Sequence, residues 1–424
     1  MEIPESRSAQ AMTHLNTALA AASAAALAHP AYAQASAPIC DPTPIDAAVQ
    51  QMLSDFPLLL NGAAVLVGDA EGIWYEGYFG SYAPPTVVPL ASASKLVSAV
   101  AAMTLIDAGR IDPHAPIVSA LPAMFAPQRA GPVKPFMTVD QMQSMTSGFA
   151  GDAAEPILNN LDITLEQAAD LIATTVTPAA LPGTELNYTG YGMHVVGYLC
   201  EVLSGSPYDE FFAEAVSIPL RTPSIEWDGL GETLNFRPSG GGESNLRDYG
   251  RILRMLTRRG ELDGVRLLSP EAVESMFVER TVGLPVGEIP PNAQGFGYAF
   301  GMWVERRGPG GEALILSSPG AFGFTPWIDL ERGAWGIVMV QGSNSLLAPS
   351  IRTIRDAIDA TLDASICRPC PLDLNHDGLL DLRDIVRFST LGAASDPRAD
   401  INADGIFDLA DINRFVSDFL NGCG

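Results

Sequence analysis

A serine and a lysine three residues apart are the first candidates for chemistry in this sequence. The run Ser92-Ala93-Ser94-Lys95 opens a long apolar stretch, which predicts a helix over 92–108. Residues three apart lie on one helix face, so the Ser92 hydroxyl and the Lys95 amine can meet. The free N–H groups at the helix N-terminus suit an anionic tetrahedral intermediate. The pattern predicts a nucleophile and its base, although a capping serine followed by a surface lysine has the same spacing.

Lysine is rare in this chain, and its scarcity strengthens the interpretation of Lys95. Of 24 basic residues only Lys95 and Lys134 are lysines, and the others are arginines. A buried ammonium group can lose its proton and act as a base, whereas a guanidinium group stays charged. We therefore predict a functional role for Lys95 and none for Lys134, which stands in a proline-rich loop sequence.

Two twelve-residue segments near the C-terminus repeat one spacing of oxygen-bearing side chains. Each has such residues at positions 1, 3, 5, 9 and 12, and glycine at position 6 allows a sharp turn. Position 7 would add a backbone carbonyl, which gives the set of oxygen ligands that Ca²⁺ requires. Two loops in register predict two bound Ca²⁺ ions better than they predict two surface turns. The predicted ligands are Asp373, Asn375, Asp377, Leu379, Asp381, Asp384, Asp400, Asn402, Asp404, Ile406, Asp408 and Asp411.

The segments that must position these residues predict an α+β protein. Helices are expected over 44–55 and 349–363, and a mostly helical region occupies 110–285. The predicted strands come from both ends of the chain, near 63–68, 73–79, 312–318, 323–330 and 334–341. This order predicts one antiparallel sheet flanked by helices, with a helical lobe and a site between them.

Length and charge limit the classes of function. A chain of 424 residues accommodates a large domain, predicted over 40–366, and a small all-α domain over 371–424. The formal net charge of −25 argues against nucleic acid and anionic membrane surfaces as partners. No apolar run is long enough to predict a transmembrane span.

The N-terminus is typical of an export signal, predicted over 1–33. Ala18 to Ala28 is a short apolar stretch, and Ala31-Tyr32-Ala33 gives the small-x-small pattern of a cleavage site. We therefore expect an exported protein, located outside the cell, on its surface or in the periplasm. An Ala-rich helix of the folded domain is the alternative interpretation.

Export permits disulfide bonds among the five cysteines. We favour the pairs Cys40–Cys367 and Cys370–Cys423, because each pair encloses one predicted domain, although the sequence leaves the connectivity open. A Cys-x-x-Cys metal or redox site at Cys367 and Cys370 is the lesser alternative, since no second Cys or His pair accompanies it. Cys200 stands in an apolar stretch and is predicted to be a buried free thiol.

An ordered set of motifs resembles the serine β-lactamase-related family. That family includes class C β-lactamases, D-aminopeptidases, D,D-carboxypeptidases and family VIII carboxylesterases. The resemblance covers about 44–363 and implies a β-lactamase/transpeptidase-like fold with Ser92 as nucleophile, Lys95 as base and no cofactor for catalysis. Met145 stands where a histidine is usual. The matching segments are 90–95, 109–112, 138–142, 146–148, 241–249 and 267–270.

The resemblance also implies a catalytic tyrosine. The segment 182–197 follows the family's tyrosine-x-asparagine motif without a gap, which puts Tyr188 at the tyrosine position. There its phenol would share a proton network with Lys95 and protonate the leaving group. Gly190 replaces the motif's asparagine, whose amide contacts an amide of the substrate.

The third motif of the family departs further. Ser318-Pro319-Gly320 stands in place of lysine-threonine-glycine or histidine-x-glycine, so no cation is left to hold a substrate carboxylate. The family places its second oxyanion donor just after the glycine, which points to the N–H of Ala321.

Other nucleophile schemes have little support in the sequence. No G-x-S-x-G segment is present. After signal cleavage only His114, His194 and His376 remain, so a Ser-His-Asp triad is poorly supported. We interpret His194 as a structural histidine that follows Tyr188 on the same helix.

The C-terminal loops each lead into an amphipathic helix, and this duplication resembles a dockerin. Dockerins dock onto a cohesin on another protein, so the resemblance implies a cohesin-like partner. Pro371 leaves no room for the entering helix of a full EF-hand. A purely structural module is the alternative.

The expected activity is hydrolysis of an ester through an acyl-enzyme on Ser92. Gly190 and Ser318 remove contacts that penicillins and D-alanyl peptides need, which favours a less demanding ester or amide substrate. A β-lactamase or a D-amino-acid amidase or peptidase is the alternative, as is a non-catalytic binding protein on the same fold.

Overall fold

The structure, a computed structural model, describes most of the chain in two compact units. The larger unit contains residues 48–70 and 76–355 and therefore every residue predicted to take part in hydrolysis. The smaller unit contains the described residues of 41–47, 71–75 and 356–424. The described residues are 41–151, 156–363, 382–393 and 407–421, with the single positions 372, 374, 396, 399 and 401.

A seven-stranded sheet is the largest element. It combines strands from both ends of the sequence, as predicted. The strand that comes first in the sequence pairs antiparallel with the strand that comes last, with Val65 opposite Val338. Both of these strands are buried along their whole length, which explains their continuous apolar runs. In sheet order the strands are β2 (Ile73–Gly80), β1 (Gly62–Asp69), β11 (Ala334–Val340), β10 (Thr325–Asp329), β9 (Ala313–Ser317), β8 (Trp303–Arg307) and β7 (Gly297–Tyr298).

Two strands of this sheet, β7 and β8, were not predicted. β7 has only two residues, and β8 ends in Glu305-Arg306-Arg307, which carries no apolar alternation. The register between β8 and β9 also shifts near Arg306, as at a β-bulge, so the side-chain alternation is interrupted there. Smaller ladders join β3 (Val87–Pro89) to β4 (Glu243–Asn245) and β5 (Glu261–Leu262) to β6 (Val265–Arg266).

Helices supply the rest of the fold. A 3₁₀ turn over Ala91–Ala93 precedes the helix predicted to start at Ser92, and the last helix before the C-terminal module starts earlier than expected, with Pro349 inside it. The α-helices are α1 (Thr43–Asp55), α2 (Ser94–Asp107), α3 (Ile117–Ala120), α4 (Pro122–Phe125), α5 (Pro127–Ala130), α6 (Val139–Gln143), α7 (Leu165–Thr175), α8 (Tyr191–Ser204), α9 (Tyr208–Phe212), α10 (Ile218–Leu220), α11 (Leu246–Thr257), α12 (Pro270–Phe277), α13 (Asn344–Asp363), α14 (Leu382–Ala393) and α15 (Leu409–Asn421).

Lys134 has a structural role that the sequence did not indicate. It is 5% exposed, and its Nζ donates hydrogen bonds to the carbonyls of Val176 at 2.7 Å and Ile172 at 3.3 Å. These carbonyls lie at the C-terminal end of α7, where intrahelical donors run out. Both lysines of this protein are therefore buried and make specific contacts.

The smaller unit contains an apolar core built from the two repeated helices. Phe388 of α14 and Phe415 of α15 stack with ring centroids 3.9 Å apart. Ile385 and Ile412, the residues after the last predicted ligand of each loop, are buried in the same core. The duplication seen in the sequence is thus also a duplication in packing.

Cys200 is a buried free thiol, as predicted. Burial raises the pKa of its thiol well above the ordinary value. The other four cysteines lie outside the described residues. Within the described residues, no helix combines the length and the apolar character needed to cross a membrane.

Candidate active site

The predicted nucleophile lies on a tight turn in front of a buried helix. Ser92 is in the 3₁₀ turn that leads into α2, whose side chains are buried on nearly all sides. Ala91, the residue before it, has a φ of 46°, a left-handed conformation that L-residues rarely adopt. Such strain is kept where the surrounding structure fixes it, as it does at many functional sites.

Hydrogen bonds from a distant segment hold this turn in place. Gly242 donates its N–H to Ser94 Oγ at 3.0 Å and accepts from the N–H of Leu90 at 2.8 Å. Tyr249 donates its hydroxyl to the Ala93 carbonyl at 2.8 Å. Together these bonds fix the backbone on both sides of Ser92.

Lys95 is buried and points at the nucleophile. Its side chain is 4% exposed, and Nζ lies 3.1 Å from Ser92 Oγ. Nζ also donates a hydrogen bond of 2.7 Å to the carbonyl of Ser239. A neutral oxygen on one side and a hydroxyl on the other orient the amine and place it within reach of the proton on Ser92.

Tyr188 is the third residue beside Ser92 and Lys95, and contacts to its aromatic ring hold it in place. It lies in the loop before α8, not on the helix as predicted, and Lys95 Nζ is 4.7 Å from its ring centroid. Trp303 stacks on the ring at 4.8 Å with an interplanar angle of 26°, and Tyr298 meets it edge-on at 5.9 Å. A stacked indole leaves no room for an ammonium on the same face, so Lys95 and Trp303 lie on opposite faces of Tyr188.

The third-motif residues contact the nucleophile's own backbone. Ser318 is 3% exposed, and the single proton of its hydroxyl faces two backbone carbonyls, that of Ser92 at 3.2 Å and that of Gly301 at 3.3 Å. A Cβ at Gly320 would lie 2.0 Å from the carbonyl oxygen of Leu90, so only glycine permits this close approach. The segment therefore anchors the turn that carries Ser92.

The predicted oxyanion donor, the N–H of Ala321, lies just beyond the third motif. Ala321 follows Gly320 in an exposed turn, and its carbonyl accepts a hydrogen bond from the N–H of Asn344 at 2.9 Å. The role of its N–H as an oxyanion donor stays a prediction.

His194 is fully buried on α8 beside this group. Its Nδ1 is 3.3 Å from the Gly190 carbonyl, while Nε2 has no hydrogen-bond partner among the described residues. Burial, followed by the charges of Arg237 and Lys95, lowers the pKa of His194 to about 3. The carbonyl can only accept, so Nδ1 carries the proton of a neutral imidazole.

We predict that His194 makes the protein sensitive to acid. From pH 6.5 down to about 3, the unfolded chain binds a proton at this residue that the folded protein does not. The free energy of unfolding therefore falls as the pH falls, by several kcal/mol across that range. His194→Asn keeps a donor toward Gly190 and removes the titration, so chemical denaturation at pH 7 and pH 4 should show a smaller difference than in the wild type.

Glu201 provides the internal check for this measurement. Burial raises the pKa of its carboxyl to about 7, so between pH 4.5 and 7 it acts in the opposite direction, favouring stability at lower pH. The wild type and His194→Asn both contain Glu201, so the difference between their pH dependences reports the titration of His194 alone. Equal pH dependence in the two proteins would contradict the prediction.

Two residues of the site, Ser239 and Trp303, were not predicted. Ser239 stands just before the glycines that match the family motif, and a fully buried lysine needs an acceptor, but nothing in the sequence names a partner 144 positions away. Trp303 lies on β8, the strand that was missed. Gly190 is buried at the start of α8, beside Ser239.

Three of the predicted calcium ligands lie within the described residues. Asp384 and Asp411 are 0% exposed near the starts of α14 and α15, and Asp411 accepts a hydrogen bond of 2.9 Å from the N–H of Asp408. The other nine fall outside the described residues: Asp373, Asn375, Asp377, Leu379, Asp381, Asp400, Asn402, Asp404 and Ile406.

The β-lactamase family model matches residues 59–360 of this chain. That match covers the sheet and every residue of the candidate active site described above. This chain belongs to the β-lactamase family.

Two other proteins are similar to this chain in sequence. An uncharacterized protein of Mycobacterium tuberculosis is 25% identical over 335 residues, which are 62% of this chain and 82% of the relative. Penicillin-binding protein 4 of Amycolatopsis lactamdurans is 30% identical over 166 residues, 38% of this chain and 42% of the relative.

Solved structures share the fold. A β-lactamase-like protein from Bacteroides dorei has a TM-score of 0.65 at 24% identity, covering 76% of this chain and 99% of its own. EstCE1, a hydrolase with promiscuous acyltransferase activity, has a TM-score of 0.62 at 18% identity, covering 74% and 97%. A family VIII carboxylesterase has a TM-score of 0.58 at 18% identity, covering 76% and 98%.

Proposed function

We propose that this protein hydrolyses carboxylic esters through an acyl-enzyme on Ser92. The observation that carries the proposal is the 3.1 Å contact between Ser92 Oγ and the buried Nζ of Lys95. A serine hydroxyl is a weak nucleophile until an adjacent base takes its proton. The amine of Lys95 is in position to act as that base.

The reaction proceeds in two halves. Lys95 Nζ takes the proton of Ser92 as Oγ attacks the ester carbonyl, and the N–H groups of Ser92 and Ala321 stabilise the resulting oxyanion. Collapse breaks the bond to the alcohol, which leaves with a proton returned from Lys95 by way of the Tyr188 hydroxyl. Water then attacks the acyl-enzyme and gives a proton to the same pair, which returns it to Ser92 Oγ as the acyl bond breaks and the carboxylic acid leaves.

The substrate class follows from what the site does not offer. Gly190 provides no side-chain amide, and the single proton of the Ser318 hydroxyl faces backbone carbonyls of the protein itself. A substrate that needs an amide contact or a cation for its carboxylate would leave polar groups unpaired. An ester with a simple acyl group makes neither demand, and the shared fold with a carboxylesterase is consistent with it.

Hydrolysis of β-lactams or D-amino-acid amides is the second candidate. It is favoured by membership of the β-lactamase family and by the similarity to a penicillin-binding protein. A binding protein without turnover is the third, because it would explain the loss of both substrate contacts without a change of fold.

A fluorophosphonate probe separates these candidates. We expect it to label the wild type and to leave Ser92→Ala unlabelled, with Ser94→Ala as the matched control that keeps labelling. Nitrophenyl esters, nitrocefin and D-Ala amides then rank the substrate classes. If correctly folded wild type is not labelled and turns over none of these substrates, the protein is a binder and the proposal is wrong.

We further propose that the protein is exported and that its C-terminal module binds two Ca²⁺ ions and docks onto a cohesin-like partner. Support comes from the signal pattern at 1–33 and from the donor chemistry of the loops. Asp384 and Asp411, the last predicted ligand of each loop, are buried near the starts of their helices, and carboxylate oxygens are ligands that Ca²⁺ prefers. Bound calcium would hold each loop to its helix.

Calorimetry with Ca²⁺ tests this module. We expect two equivalents of Ca²⁺ to bind and excess EGTA to lower the Tm of the module, because metal binding contributes directly to folding. Asp384→Asn and Asp411→Asn should each lose one binding event. Asp418→Asn, which only breaks an ion pair with Arg414 on α15, should keep both. No heat and no Tm shift in the wild type would show that the loops are surface turns.

A further inference from the structure

Glycine at position 190 is required by space, not by backbone conformation. Its φ of −87° and ψ of −13° lie in the ordinary right-handed region, which any L-residue adopts. A Cβ placed there, however, would lie 2.4 Å from Ser239 Oγ and 2.5 Å from Leu158 Cδ1. Distances below 3.0 Å require atoms to move, so a larger residue fits at position 190 only if Ser239 Oγ and Leu158 Cδ1 turn away from it.

The two side chains that fill this space are fixed in it. Leu158 is 0% exposed and Ser239 is 1% exposed. Ser239 Oγ has no hydrogen-bond partner among the described residues, an unfavourable state for a buried hydroxyl. No hydrogen bond orients this hydroxyl, so only the packing around it keeps it in this space.

This filled space is connected directly to the catalytic pair. The carbonyl of Ser239 accepts the 2.7 Å hydrogen bond from Lys95 Nζ, and Nζ lies 3.1 Å from Ser92 Oγ. A side chain forced in at position 190 would push Ser239 and thereby shift Lys95. A displacement at position 190 would therefore be transmitted through Ser239 to Lys95.

We propose that Ser239 and Leu158 are specificity-determining residues that occupy the volume of a side chain at position 190. By excluding an amide-bearing residue there, they leave the site without a partner for an amide in the acyl group. The site is built for acyl groups that carry no amide. This inference rests on the proposed ester hydrolysis for its substrate class, but its steric part stands alone.

Two isosteric esters test the specificity. The pentanoyl and N-acetylglycyl groups have the same chain length, and only the second contains an amide, so their p-nitrophenyl esters differ in that feature alone. We expect the wild type to prefer the pentanoyl ester by at least about tenfold in kcat/KM, corrected for spontaneous hydrolysis, because an unpaired amide is costly.

Three variants test the steric pair. Gly190→Asn alone should lower the Tm and lower kcat/KM for both esters, because the new side chain displaces Ser239. A background of Ser239→Gly with Leu158→Val opens the space. Adding Gly190→Asn to that background should give a Tm above that of the Gly190→Asn single variant. It should also raise the ratio of kcat/KM for the N-acetylglycyl ester to kcat/KM for the pentanoyl ester about tenfold above the wild-type ratio.

Gly205→Asn is the matched control at the other end of α8. No heavy atom lies within 4 Å of a Cβ there, and asparagine tolerates its left-handed φ of 80°. Its ester ratio should equal that of the wild type, and its Tm should fall only by the small strain of an asparagine in a left-handed conformation.

The results separate this inference from the proposed function. A single Gly190→Asn variant with wild-type Tm and ester ratio would overturn the inference. So would an opened variant that regains Tm but keeps the wild-type ratio. If the wild type turned over neither ester, ester hydrolysis would fail, and the Tm series would still decide whether Ser239 and Leu158 fill the space.

Discussion

Replacing Lys95 by arginine is expected to lower kcat/KM for p-nitrophenyl butyrate by about 10²–10⁴-fold, the usual contribution of a positioned base. Arginine keeps a positive charge and can still donate to the Ser239 carbonyl, 2.7 Å from Nζ in the wild type. It cannot release its proton at the pH of the assay, so it cannot take the proton of Ser92. The loss therefore reports base chemistry and not the loss of a charge.

Lys134→Arg is the matched control, since it makes the same exchange at the only other lysine. Lys134 contacts backbone carbonyls at the end of α7 and no residue of the candidate site. We expect its kcat/KM to stay within a few-fold of wild type, with any change confined to Tm. Wild-type turnover in folded Lys95→Arg would mean that another group deprotonates Ser92.

Local spacing carries the part of the site that the sequence predicts well. Ser92 and Lys95 are three residues apart, and the geometry of one helical turn brings them together whatever the rest of the chain does. The 3₁₀ turn over Ala91–Ala93 changes the local path without separating them. Capping signals are equally local, and Thr138 forms the capping box with Gln141 at the start of α6.

Contacts between distant segments are the part that the sequence does not predict. Ser239 accepts from Lys95 across 144 positions, and Trp303 stacks on Tyr188 from a strand whose pattern is interrupted by a bulge. No periodicity encodes which carbonyl or which ring arrives at a given place, because tertiary packing decides it. Lys134 illustrates the same limit, since its loop sequence gave no indication of burial.

The departures of this chain from the family motifs can be interpreted only from the structure. In the sequence, Gly190 and Ser318 are two losses of the same kind. In the structure they differ, because Ser318 binds the backbone of Ser92 while Gly190 makes room for Ser239 and Leu158. One substitution supports the nucleophile and the other shapes substrate choice.

Tyr188→Phe is expected to lower kcat for ethyl butyrate by about 10²-fold or more while leaving the Tm close to wild type. Phenylalanine keeps the ring, so the stacking on Trp303 and the face presented to Lys95 Nζ at 4.7 Å both persist. Only the hydroxyl disappears, and with it the proposed route by which a proton reaches the departing alcohol. Stopped-flow and steady-state kinetics with esters of different alcohols measure the effect.

The dependence on the alcohol distinguishes this role from a structural one. An alcohol of low pKa, such as nitrophenol, leaves without protonation, whereas a simple alkyl alcohol needs a proton as the bond breaks. Tyr188→Phe should therefore lose more activity toward ethyl esters than toward nitrophenyl esters. Trp303→Phe retains the Tyr188 hydroxyl. If Trp303 only positions the Tyr188 ring, this variant should lower the activity toward ethyl esters and nitrophenyl esters by the same factor. Equal losses for both alcohols in Tyr188→Phe would assign Tyr188 to positioning Lys95 and leave the leaving-group proton to Lys95 itself.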